Sequence, residues 1–117
     1  MPVLDFDTIT GAADLGVVEI EVPEWGGHVL LRPMTAGDLG EYEQFVLKAK
    51  ETDNLAGYQI ELLGRVIVDE AGRAVFDTAE KRKALAAKSS AVVGRLYDQA
   101  RRICGLGDEA VEDAVKN

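Results

Sequence analysis

The sequence predicts an α+β fold, mainly helical, with one N-terminal β-hairpin packed on four to five helices. Three observations carry that expectation. "VVEIEV" at residues 17–22 alternates apolar and acidic side chains, the period-two mark of a half-buried strand. "HVLLR" at 28–32 is a second β-favouring run, reached through "PEWGG". From Thr35 onward apolar residues recur at every third or fourth position, the spacing of helices that bury one face.

The elements follow in order. Residues 1–16 show no sustained period and end in Gly16, so they read as a leader, mobile or carrying a short helix, ahead of a single domain over 17–117. Pro23 ends the first strand because it has no N–H to donate, and Gly26-Gly27 supplies the positive φ of a tight turn. Val18, Ile20 and Val22 are expected to face the helices, with Glu19 and Glu21 opposite. Thr35 and Asp38 resemble a capping box, and Leu39, Tyr42, Phe45, Val46 and Ala49 mark one helix to about Lys50. Leu55, Tyr58, Leu62, Leu63, Val66 and Ile67 mark a second, which stops before "DEAGR" at 69–73. A short extended "AVF" (74–76) leads to a third helix, with Asp77 as its cap and Glu80 in the box position. Ser89 or Ser90 opens a fourth, which turns Val92, Val93, Leu96, Tyr97, Ala100 and Ile103 inward. "GLGD" closes it and starts a short acidic helix over 109–115.

Gly57, Gly64 and Gly94 fall inside the predicted helices, each at a cost of about 1 kcal/mol relative to Ala. Gly57 and Gly64 lie on nearly one face of the second helix. Close approach of another backbone is the structural explanation; plasticity on meeting a partner is the functional one.

Bulk properties narrow the function. A chain of 117 residues with 47% hydrophobic and 29% charged residues has the composition of a soluble globular domain. Its one cysteine allows no internal disulfide and no cysteine-based metal cage. No apolar run reaches the roughly 18 residues of a membrane span, so the expected setting is cytoplasmic, with no membrane partner. A net charge of −8 opposes nucleic-acid binding, which needs a positive footprint. The charge is uneven, however: residues 81–103 carry Lys81, Arg82, Lys83, Lys88, Arg95, Arg101 and Arg102 against Asp98 alone. That band is either a solvated helix face neutralised by the acidic remainder, or a docking surface for an acidic partner or a second copy.

Chemistry is sparse. His28, the single imidazole, has no Asp or Cys near it in sequence and sits where a turn-edge residue would. Cys104, between Ile103 and Leu106, reads as a small buried hydrophobe. "DEAGR" lacks the spaced oxygen ligands of a calcium loop, and "GLGDE" lacks the lysine of a phosphate loop. No catalytic residue, metal site or cofactor is expected, and the chain reads as a non-enzyme. Trp25 at the hairpin tip either folds back onto the helices or is displayed as an interface anchor. Arg95, Arg101 and Arg102 flank the apolar Leu96 and Tyr97. Since Arg and aromatic residues dominate binding energy at interfaces, Trp25, Arg95, Leu96, Tyr97, Arg101 and Arg102 are the candidate partner-binding residues.

The hairpin "VEIEVPEWGGHVLLRPMTAGD", the amphipathic helices after it, the "VDEAGRAVFD" turn and the ending "LYDQARRICGLGDEAVEDAVKN" resemble tail assembly chaperones of long-tailed bacteriophages, from about residue 17 to the C-terminus. The resemblance implies a non-enzymatic chaperone in the host cytoplasm, absent from the mature virion. It would bind the tape-measure protein and help recruit tail-tube subunits, the latter through a longer form made by −1 frameshifting. Lys116-Asn117 is compatible with the AAA-AAC part of a slippery heptamer. Self-association is expected from an open strand edge and the basic band beside an acidic body. The reading from another class is a small cytoplasmic adaptor domain unrelated to phage.

Overall fold

The computed structural model describes residues 1–52 and 57–106. Among them the element order is α1 (Phe6–Gly11), β1 (Val18–Val22), β2 (Gly27–Leu31), α2 (Ala36–Glu51), α3 (Tyr58–Val66), β3 (Ile67–Val68), α4 (Ala79–Ala86) and α5 (Ser90–Ile103). The fold is α+β, with helices packed against a small antiparallel sheet. Leu55 and the acidic helix expected over 109–115 lie outside the described residues.

Residues 6–11 form α1, started by the Asp5 carboxylate, which accepts the Thr8 N–H at 2.9 Å as an N-cap. Nothing in this helix is buried, and Phe6 and Ile9 stay 77% and 57% exposed.

The hairpin forms in the expected place. β1 and β2 pair antiparallel from Val18↔Leu31 to Val22↔Gly27. Their connection is a 3-10 turn over Pro23–Trp25, closed by Gly26 at φ 78°; of the two turn glycines only this one takes the left-handed conformation. Burial is graded along β1: Val22 is fully buried, Ile20 half-buried, and Val18 39% exposed. Val18 keeps the phase of Ile20 and Val22 but is not covered by the helices as expected.

Two boundaries of the second predicted helix change. Gly57 sits at the N-cap with φ 87°, so it lies outside the helix and costs no helix propensity. At the other end the backbone turns extended at Ile67, and Ile67–Val68 become β3, paired with Leu30 and Leu31 of β2. The hairpin is thus extended to a three-stranded sheet in the order β1-β2-β3, and Val68 bridges to Ala74. Between them "DEAGR" is a turn built on Asp69, whose Oδ1 accepts the N–H groups of Ala71 (2.9 Å) and Arg73 (3.0 Å), with Gly72 at φ 82°.

The caps are those of ordinary helices. Thr35 Oγ1 accepts the Asp38 N–H at 3.0 Å and starts α2. For α4 the cap is Thr78, which accepts from Lys81 N, and not Asp77. Asp77 instead pairs with Lys81 Nζ at 2.9 Å. α5 begins after Ser89, without a side-chain cap.

The core lies where α3, α5 and the inner face of the sheet meet. Val22 and Leu31 come from the hairpin, Leu62, Leu63 and Val66 from α3, and Leu96 and Ala100 from α5, all fully buried. Full burial of one such aliphatic side chain is worth about 1.5–3 kcal/mol, enough to hold a hairpin that would be marginal alone. Gly64 explains itself here: the Arg82 side chain crosses directly over its α-carbon. The close approach expected at this glycine is real, but it is made by a guanidinium and not by a backbone.

Candidate partner-binding site

The six candidate residues divide by depth. Leu96 and Tyr97 are 0% and 3% exposed, so they pack the core and do not project toward a partner. Burial pushes the Tyr97 and Tyr42 hydroxyls above the usual phenol range. Tyr97 meets Tyr58 edge-to-face at 5.5 Å, and the Arg101 guanidinium lies 5.2 Å over its ring. Arg101 also holds Asp98 Oδ1 at 2.9 Å and is itself mostly covered. Arg102, one residue on, is exposed.

Arg95 is turned the other way. It grips Glu24 of the hairpin turn with two parallel hydrogen bonds of 2.8 and 2.9 Å, the fork geometry that suits a carboxylate. The guanidinium holds the Glu24 carboxyl down to about 2. Arg95 thereby ties α5 to the hairpin tip beside Trp25, while Arg101 and Arg102 stay at the far end of the helix. The structure brings together Arg95 and Trp25, and not the full set.

Trp25 folds back. Its ring packs against the core periphery, half-buried, with Lys88 Nζ 5.9 Å from the ring centroid. One face borders a groove of about 450 Å³ between β2, β3 and the 69–76 turn. Trp25, Val29, Ile67, Val75 and Phe76 make its apolar wall; His28, Asp69 and Glu70 also line it. Val75 is 38% exposed. Sequence reasoning missed Val75, Phe76 and Glu70. Their signal was present in "DEAGRAVF", but only the pairing of β3 with β2 lays that turn beside Trp25.

The basic band is largely matched by the chain's own acids. Lys81 pairs with Asp77, Arg82 with Glu61 at 3.0 Å, Arg95 with Glu24 and Arg101 with Asp98. Arg65 adds bonds of 2.9 Å to both Glu41 and Glu61, so Glu61 links two arginines across α3 and α4. This supports the neutralised-face explanation for most of the band.

His28 is half-exposed, with Nε2 3.0 Å from Glu19 Oε1 across the hairpin. That is a solvent-facing cross-strand contact at the rim of the open groove that Asp69 and Glu70 also line; the acids are present there, but the enclosure that proton-transfer catalysis needs is not. Burial pushes the Cys104 thiol up, which leaves little thiolate at neutral pH. Among the described residues no group of three or more His, Cys, Asp or Glu side chains could hold a metal ion, and no helix is long and apolar enough to cross a membrane.

These features define a small acidic α+β chain whose singular residues line an open surface groove. No protein-family model and no curated protein matches the chain. A solved structure does: the bacteriophage HK97 tail assembly chaperone, with a TM-score of 0.55 and 22% identity, covering 87% of this chain and 92% of that one. The two chains share a fold over nearly their whole lengths.

Proposed function

We propose that this protein is a non-enzymatic tail assembly chaperone of a long-tailed bacteriophage, acting in the host cytoplasm and leaving before the virion is complete. The observation that carries the reading is the shared fold with the HK97 chaperone over 87% of the chain. The surface supports it: the distinctive side chains border an apolar groove on a body of net charge −8, a combination that can cover apolar client surface and keep the complex dissolved.

On this reading the client is the tape-measure protein, held by reversible burial of apolar surface at about 25 cal/mol per Å² before the costs of association are subtracted. Tail-tube subunits would be recruited by a longer, frameshifted form. A slippery heptamer is expected at the codons for Lys116-Asn117, and its absence from the nucleotide sequence would remove that part of the proposal.

The test is co-expression with the tape-measure protein, whose gene this reading expects immediately downstream. The client is expected to be soluble and to co-purify only in the presence of this chain. Trp25→Ala and Arg102→Ala should weaken that retention without unfolding the chaperone, and added salt should reduce the Arg102 contribution. Tyr97, being buried, is unsuited to the test. Equal client solubility with and without the chain would sink the assignment.

A further inference from the structure

β2 is paired along its whole length by β1, but on its other side β3 meets only Leu30 and Leu31. Among the described residues, 27–29 have no ladder partner on that side. The chain that would have continued the sheet turns away at Asp69, whose N–H bonds the Arg73 carbonyl at 2.8 Å. The groove beside Trp25 lies at this gap.

We propose that the groove docks an apolar segment of the client that carries lysine or arginine next to its apolar side chains. The identity of the client rests on the chaperone reading; the chemistry of the segment is read from the groove. Its wall of Trp25, Val29, Val75 and Phe76 rewards apolar side chains. The acids that line it, Asp69 and Glu70, are both exposed, and the one other titratable side chain in the lining, His28, is held by Glu19. Glu70 makes no ion pair among the described residues, so its carboxylate is available to an incoming cation.

The chain's own leader is the wrong occupant. It displays Phe6 and Ile9, but with Asp5, Asp7 and Asp14 and no lysine or arginine. A second copy offers a basic band in which Lys81, Arg82, Arg95 and Arg101 are already held by the chain's own acids, and its remaining Lys83, Lys88 and Arg102 have no exposed large apolar side chain of α4 or α5 beside them. A separate cationic, apolar segment meets both requirements.

Trp25 is the only tryptophan, so its fluorescence reports on the groove directly. The probes are two synthetic peptides, one of leucine and lysine and its leucine–glutamate counterpart. The leucine–lysine peptide should shift Trp25 emission saturably, and added salt should weaken it. Glu70→Lys and Val75→Asp, both at exposed positions, should each weaken it about tenfold with the melting temperature kept. Stronger or equal binding of the leucine–glutamate peptide, no binding of either, or unchanged binding by both variants would overturn the proposal. So would a dimer that these two substitutions dissolve and that blocks the peptide, since the groove would then belong to a second copy. Retention of the tape-measure client by both variants at wild-type levels would overturn the groove while leaving the chaperone reading intact. Peptide binding as described with no client retained by the wild type would sustain the groove and remove the chaperone reading.

Discussion

A Cβ placed on Gly64 would lie 2.5 Å from Nε and 2.9 Å from Cζ of Arg82. That guanidinium is not free to swing aside, because Nε donates to the Phe76 carbonyl at 3.1 Å and Nη1 to Glu61 at 3.0 Å. Gly64→Ala gains about 1 kcal/mol of helix propensity but gives up charge-assisted bonds worth about 1.5–3 kcal/mol. A net loss of about 1 kcal/mol is expected by chemical denaturation. In an Arg82→Ala background the same substitution should become stabilising by about 1 kcal/mol; no change of sign would show that Arg82 is not what Gly64 makes room for. The sequence exposed the oddity of a glycine in a helix but not the arginine above it, which comes from another helix. Glu24 supplies a pH test. Its folded value of about 2 lies below the ordinary 4.5, chiefly through the hydrogen bonds from Arg95. A depressed carboxyl stabilises the fold above the unfolded value and loses that contribution as pH falls through the folded one. The melting-temperature gap between wild type and Glu24→Gln should therefore be full at neutral pH, shrink from about 4.5 downward and vanish near 2. A gap independent of pH across that window would show that the ion pair does not contribute. Since the pair is exposed, the gap should also narrow in salt.

Secondary elements were legible wherever a local signal coincided with a local cause. The alternation in "VVEIEV", Pro23 with Gly26, and the Thr35 cap each act within a few residues, and β1, β2 and α2 appear where those signals place them. β3 was hidden because Ile67 and Val68 continue the apolar pattern of α3; they turn extended to complete the sheet beside Leu30 and Leu31. The depth of each position along β1 was equally hidden, since alternation reports a side and not a distance from the core. Asp substitutions at Val22, Ile20 and Val18 should follow that depth. Val22→Asp buries an unpaired charge and should cost upward of about 3 kcal/mol; Ile20→Asp should cost about 1–3 and Val18→Asp less than about 1. Equal melting temperatures for the three variants would refute the graded burial. The α4 start is a smaller instance: both Asp77 and Thr78 are competent caps in sequence, and the backbone geometry selects Thr78.

At the scale of the whole molecule, the fold leaves β1 as an open sheet edge among the described residues, next to the exposed Val17 and Val18. Glu19 and Glu21 guard that edge with negative charge, so pairing with a second copy should be favoured once salt screens them. Sedimentation at low and high ionic strength checks this: association growing with salt is expected, and a monomer at every concentration and salt would exclude self-association through β1. Composition alone bounded the broad class, because net charge, a single cysteine and the apolar fraction are properties of the chain before it folds. Local patterning settled the α+β class and most element positions, because strand alternation and helix spacing reflect contacts that each element makes along its own length. The binding surface was another matter. Leu96 and Tyr97 looked like partner contacts in a basic stretch, yet α5 turns them into the core and leaves Arg102 outside. Trp25 is far along the chain from Glu70 and Val75 and becomes their neighbour only through the pairing of β3 with β2. Which apolar residues are covered and which line a surface is decided by long-range packing, a property that no stretch of sequence carries by itself.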